Sequence, residues 1–198
     1  MSAFRLHLLR HGAPEVPGLL LGRTDAAPTG AGVAACGRAV AGLSFEHLVC
    51  SDLARARVAA RAIGAGRGLA PQIDPRWREM DFGAWDGLSP AAVPPASLSA
   101  FQTDPDACPP PEGERWSALV ARVRAALAEG ATGDTLIVTH AGAMRAALTV
   151  LCGFSYDQVW AFDLPYASLL SLRVWPGNPM PENPMMAQIT GLCAGEPA

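Results

Sequence analysis

The stretch FRLHLLRHG, Phe4 to Gly12, decides how the rest of the chain is read. Phe4 to Leu9 is a short, mostly apolar run, the length of a buried strand, and it stops at a cation, an imidazole and a glycine. Outward from it, strand and helix patterns alternate. Gly32 to Leu43 reads as a small-residue helix with Thr29 as its cap, His47 to Cys50 as a second strand, and Leu53 to Ala65 as a helix closing at Gly64 or Gly66. A strand follows near Pro71 to Asp74. Trp116, Leu119, Val120, Val123 and Leu127 recur at helical spacing, before an apolar strand at Thr135 to Thr139 and a helix from about Gly142 to Leu151. Ser168 to Trp175 and Met185 to Leu192 read as two strands at one sheet edge. This succession predicts an α/β fold, a three-layer α/β/α sandwich with a mostly parallel central sheet.

Composition agrees with such a core. Of 198 residues 50% are hydrophobic and 17% charged, and at this length folding buries roughly 70% of the unfolded chain's surface. One domain over 1–198 is expected. Residues 88–113, LSPAAVPPASLSAFQTDPDACPPPEG, interrupt the alternation with Pro and Ala and read as a small inserted cap. No run approaches the ~20 apolar residues of a membrane span, and the opening MSAFRLHLLRHG lacks the form of a secretory signal. Cys36, Cys50, Cys108, Cys152 and Cys193 are scattered and without CxxC spacing, as expected of isolated thiols in the cytoplasm. A net charge of −3 offers no broad attraction to nucleic acid or an anionic membrane, so any anion must be met by local positive charge.

That charge is local to the strand ends. Parallel sheets place ligands at the carboxyl ends of their strands. There the chain puts Arg10-His11-Gly12, then Ser51-Asp52-Leu53-Ala54-Arg55, then His140-Ala141-Gly142. Arg55, one turn into its helix, leans back over that edge, and helix N-termini near Leu53 and Gly142 add positive potential. Two Arg and two His at one edge suit phosphate, which an Arg fork grips in pairs of oxygens. A site that only bound phosphate would need no imidazole; His adds a nucleophile or a donor to a transferring phosphoryl group. The departing alkoxide then needs a proton. Glu79 is the first candidate, set among the Trp, Phe and Gly residues of RWREMDFGAWDG, with Asp81 and Asp86 as rivals. A metal site of His11, His140 and Glu79 is possible in ligand type but lacks local spacing and leaves two Arg that a cation would repel.

These residues resemble the histidine phosphatase superfamily, the phosphoglycerate mutase-like fold. LLRHG at Leu8 to Gly12 is similar to its N-terminal signature, GRTD at Gly22 to Asp25 to the following loop, and SDLARA at Ser51 to Ala56 to its second arginine motif. REMDFGAWDG at Arg78 to Gly87 is similar to the acid-bearing segment, and VTHAG at Val138 to Gly142 to the second-histidine motif. The resemblance implies that His11 is the phosphorylated nucleophile and Glu79 the proton donor and later acceptor. It implies that Arg10, Arg55 and His140 bind the phosphoryl group, with Arg23, Ala141 and Gly142 lining the pocket. The expected chemistry uses no metal and no cofactor, and the expected partner is a small phosphorylated metabolite.

The chain also departs from the pattern. Many members follow RHG with Glu or Gln, then Thr, and later an Asn; here Ala13-Pro14-Glu15-Val16-Pro17 stands instead, and Leu21 replaces a Gln before GRTD. RHGAPEVPG, DPDACPPPEGE and VTHAGAMRA are similar to the alpha-ribazole phosphatase subgroup, which has Gly-Glu-Ser where this chain has Gly113-Glu114-Arg115. The expected function is hydrolysis of a phosphomonoester, with alpha-ribazole 5′-phosphate as one substrate. The alternatives are a phosphoglycerate mutase, which resembles longer chains, and a non-catalytic phosphate-binding protein of the same fold.

Overall fold

The computed structural model describes residues 2–130, 133–176 and 185–195. β1 (Phe4–Arg10) is followed by α1 (Gly30–Ala39), β2 (His47–Cys50), α2 (Ala54–Ala65) and the short β3 (Gln72–Ile73). After 3-10 turns at Pro75–Trp77, Gly83–Trp85 and Pro90–Ala92 come α3 (Pro95–Thr103), α4 (Trp116–Gly130), β4 (Thr135–Thr139) and α5 (Ala141–Cys152). A four-residue α6 (Tyr156–Val159) leads to β5 (Leu169–Pro176) and β6 (Met185–Cys193). No helix among the described residues is long and apolar enough to cross a membrane.

The strands make one sheet in the order β3-β2-β4-β1-β5-β6. The first four run parallel, and β5 and β6 close one edge antiparallel. Successive strand residues alternate between two apolar cores. Leu8, Val49, Ile137 and Leu170 join α4 and α5 on one face, while Leu9, Leu48, Leu136, Val138 and Leu169 join α1 and α2 on the other. A period of two with both faces covered is what a central strand requires, and it produces the expected three layers.

α1 ends earlier than its sequence pattern predicts. The helix begins at Gly30, with Thr29 Oγ1 accepting from the Gly32 N–H, and ends at Ala39 rather than Leu43. Leu43 packs against the same core as α1 from a turn, its N–H donating to the Val40 carbonyl. Helical spacing there reports burial, which a turn also satisfies. In the 88–113 segment Phe101 of α3 is buried and meets the Trp85 ring edge-on at 5.6 Å, which ties this Pro-rich stretch to the residues that follow Glu79.

Candidate active site

Sheet register builds the site. Arg10 pairs with Thr139 across β1 and β4, and Cys50 with Val138 across β2 and β4. The next residues, His11, His140 and Ser51, therefore emerge side by side at the carboxyl ends. The His11 N–H donates to the Thr139 carbonyl (2.9 Å) and the Ser51 N–H to Val138 (3.0 Å). Both imidazoles are buried, with ring centroids 5.0 Å apart. A Cβ on Gly12 would lie 2.0 Å from the Gly32 carbonyl oxygen, so the glycine after His11 is required by the press of this loop on α1.

The hydrogen bonds assign the His11 proton. Its Nδ1 lies 2.8 Å from the Gly12 carbonyl, which can only accept, so Nδ1 carries the hydrogen and Nε2 the lone pair. Burial, with Arg10 and Arg55 close by, holds its pKa well below the ordinary 6.5 and keeps the ring neutral at pH 7. His140 Nε2 is 2.9 Å from Ser51 Oγ, and that hydroxyl already accepts from the Leu53 N–H. With one hydrogen and a second lone pair, that hydroxyl can donate to Nε2 or accept from it, and His140 Nδ1 is buried without a partner among the described residues. Burial and the neighbouring His11 also push the His140 pKa well down.

The two arginines come from different strand ends. Arg55, 1% exposed, reaches back from the first turn of α2 and donates to the carbonyls of Thr24 (2.8 Å) and Leu21 (2.6 Å). Arg10 donates to the Leu164 carbonyl (2.6 Å) and stacks on Tyr166, 4.2 Å from the ring centre. Neither has a carboxylate at ion-pair distance among the described residues, and the Nε of each is buried without a partner. Burial lowers both pKa values, yet a guanidinium stays charged. A buried and a half-buried cation, neither with a paired carboxylate among the described residues, are costly alone and complementary to a doubly charged anion.

Glu79 is anchored from three sides. Thr139 Oγ1 donates to the Trp77 carbonyl (2.7 Å), and the Arg122 guanidinium donates to the carbonyls of Arg76, Arg78 and Glu79. Its carboxylate then accepts from the Met80 N–H (2.8 Å) and from the Gly142 N–H at the start of α5 (3.2 Å). The rival carboxylates are engaged elsewhere. Asp86 gathers the N–H groups of Gly22, Arg23 and Thr24, and Asp81 pairs with Arg23 at 2.8 Å.

Arg10, His11, Arg55 and Glu79 line one cleft of about 490 Å³, together with Leu19, Leu20, Leu21, Phe82 and Tyr166. Of the residues that the resemblance groups with this cleft, His140 is fully buried beside His11 and is not among those lining it, and three more stand apart. Arg23 turns its side chain to Asp81 in an exposed loop, while Ala141 and Gly142 line a neighbouring pocket beyond Glu79. The Gly142 amide is already taken by Glu79. Tyr166 is the residue that sequence reasoning missed. Its ring lies 5.5 Å from that of His11, but it sits before β5 with no periodic or motif signal.

A family model describing the histidine phosphatase superfamily (branch 1) matches residues 6–183. The chain belongs to the histidine phosphatase superfamily. An adenosylcobalamin/alpha-ribazole phosphatase of Salmonella typhimurium is 31% identical over 188 residues, covering 87% of this chain and 92% of the relative. Its Escherichia coli counterpart is 29% identical over 170 residues, covering 80% and 84%. A mycobacterial glucosyl-3-phosphoglycerate phosphatase shares the fold with a TM-score of 0.80 at 26% identity, covering 96% of this chain and 98% of that one.

Leu21 lines the cleft and gives its carbonyl to Arg55. The glycine of VTHAG, Gly142, has a steric reason. A Cβ on Gly142 would lie 2.0 Å from Glu79 Oε1. Gly142→Ala is therefore expected to push the carboxylate aside and lower kcat on an alkyl phosphate by roughly 10²-fold, with an unchanged circular dichroism spectrum. Wild-type kcat in a folded G142A protein would show that the carboxylate position is unimportant.

Proposed function

We propose that this protein hydrolyses phosphomonoesters through a phosphohistidine on His11. The observation that carries this is an imidazole whose Nδ1 is turned to the Gly12 carbonyl, leaving the Nε2 lone pair free, in a cleft shared with the Arg10 and Arg55 guanidinium groups and the Glu79 carboxyl group held at a helix start. The His11 Nε2 lone pair forms the N–P bond as the ester P–O bond breaks, and Glu79 delivers its proton to the departing alkoxide oxygen. Glu79, now a carboxylate, takes a proton from water; the water oxygen bonds phosphorus and the N–P bond breaks, which returns His11 and releases phosphate. Arg10, Arg55 and His140 offset charge on the equatorial oxygens, so the acceleration is positional and electrostatic. With no polar side chains at 13 and 14, the two arginines carry most of the phosphate's charge. Residues 88–113 act as a cap that shapes the side from which substrate enters.

Within this class the substrate we favour is alpha-ribazole 5′-phosphate. The names of the two enterobacterial relatives support it, as do the subgroup-like stretches RHGAPEVPG, DPDACPPPEGE and VTHAGAMRA. The test is rapid quenching with substrate labelled in its phosphate. Acid-labile, base-stable label on His11 at a level near one per site is expected. Turnover without such label would overturn the covalent route. Offered alpha-ribazole 5′-phosphate and phosphoglycerates side by side, the enzyme is expected to release phosphate from the former without isomerising the latter.

A further inference from the structure

Beyond Glu79 lies a second pocket, and its walls are aromatic. Phe82, Trp116, Tyr156 and Trp160 line it, with Arg145 as its cation. Local sequence explains why they meet. Gly153, at φ 72°, ends α5 in the left-handed conformation that glycine tolerates, and a Ser155–Gln158 capping box starts α6 two residues later. That sharp reversal brings the Tyr156 ring to 5.2 Å from Trp116 and the Trp160 ring under the Arg145 guanidinium, 4.1 Å from its centre.

Two features mark this as more than core. Trp160 is 54% exposed, unusual for the largest apolar side chain, and it stands at the pocket rather than under it. Arg145, which lines the pocket, has its Nε buried without a partner among the described residues, so this side chain holds an unsatisfied donor. Glu79 and Phe82 line both this pocket and the cleft that holds His11, so the two spaces meet at the carboxylate. In an in-line displacement the leaving oxygen departs on the side opposite the nucleophile. The group attached to that oxygen must extend past the residue that protonates it, which here means into the aromatic pocket.

We infer that the pocket of Phe82, Trp116, Tyr156, Trp160 and Arg145 is a leaving-group subsite for a flat aromatic ring system that carries a hydrogen-bond acceptor. This rests on the hydrolase reading above and adds the chemistry of the alcohol released. Rings pack against the aromatic walls, Trp160 closes over them, and Arg145 Nε–H donates to the acceptor.

The test compares 2-(2-naphthyl)ethyl phosphate with ethyl phosphate, two alkyl esters whose leaving oxygens are similarly basic. Wild type is expected to favour the naphthyl ester by roughly tenfold or more in kcat/KM. Trp160→Ala should collapse that ratio toward one, and Trp160→Phe, which keeps a ring, should restore most of it. Calorimetry of 2-(2-naphthyl)ethanol, which lacks phosphate, should show binding weakened at least about fivefold by Trp160→Ala. A ratio near one in wild type, or one that survives Trp160→Ala, overturns the subsite and leaves the hydrolase intact. If neither ester is cleaved, the hydrolase reading fails and calorimetry alone decides. Loss of alcohol binding in the variant then supports the subsite, and absent or unaltered binding overturns it.

Discussion

Replacing His11 with alanine is expected to lower kcat/KM for p-nitrophenyl phosphate by on the order of 10⁴-fold or more. No other side chain at the cleft offers an unprotonated nitrogen in the same place. His140 is fully buried with Nε2 against the Ser51 hydroxyl and is not among the residues lining the cleft, and the arginines remain protonated. Inorganic phosphate should still bind to the variant, because Arg10 and Arg55 are held by the carbonyls of Leu164, Leu21 and Thr24 rather than by His11. Retained phosphate binding with lost turnover separates a missing nucleophile from a collapsed site. Wild-type turnover by the folded variant would exclude His11 as the nucleophile.

Glu79→Gln is expected to divide substrates by their leaving groups. With ethyl phosphate, whose alkoxide cannot leave unprotonated, kcat/KM should fall by roughly 10² to 10⁴-fold. Nitrophenolate leaves without a proton, so formation of the phosphohistidine from p-nitrophenyl phosphate should stay near the wild-type rate. The second step then slows, because water has lost its base. Stopped-flow traces of the variant should show a burst of nitrophenol of about one per site, followed by a slow steady state. Equal losses on both esters with no burst would remove Glu79 from the proton transfers. The amide must also give up one of two anchors, since the Met80 and Gly142 N–H groups both need an acceptor and glutamine has one oxygen. Phosphate binding measured alongside checks that the cleft survives this change.

Much of the fold was legible because its signals are local. Phe4 to Leu9 and Thr135 to Thr139 are short apolar runs with polar or glycine residues at their ends, and each lies within a residue of the strand observed. Where a boundary slipped, as at Leu43, periodicity reported a side chain's burial and the backbone satisfied it with a turn. The placing of Arg10, His11, Arg55 and His140 at one edge followed from the same local logic plus the rule that parallel strands present their carboxyl ends together.

Choice among carboxylates did not follow from it. Glu79, Asp81 and Asp86 sit within eight residues in similar surroundings, and only packing sends the first to the Gly142 amide, the second to Arg23 and the third to the loop of Gly22 to Thr24. Tyr166 and the aromatic pocket escaped for the same reason.

By itself, then, the sequence determined a mostly parallel α/β sandwich and the residue types that can hold and attack a phosphoryl group, since strand periodicity and strand-end chemistry depend on near neighbours. The tertiary structure alone decided which side chains share a cleft. Those decisions rest on contacts between distant residues, such as Arg10 with Leu164 and Glu79 with Gly142. It also decided the electrostatics. A net charge of −3 sums every group equally, whereas burial takes Arg55 wholly and Arg10 in part out of the solvent that screens the rest.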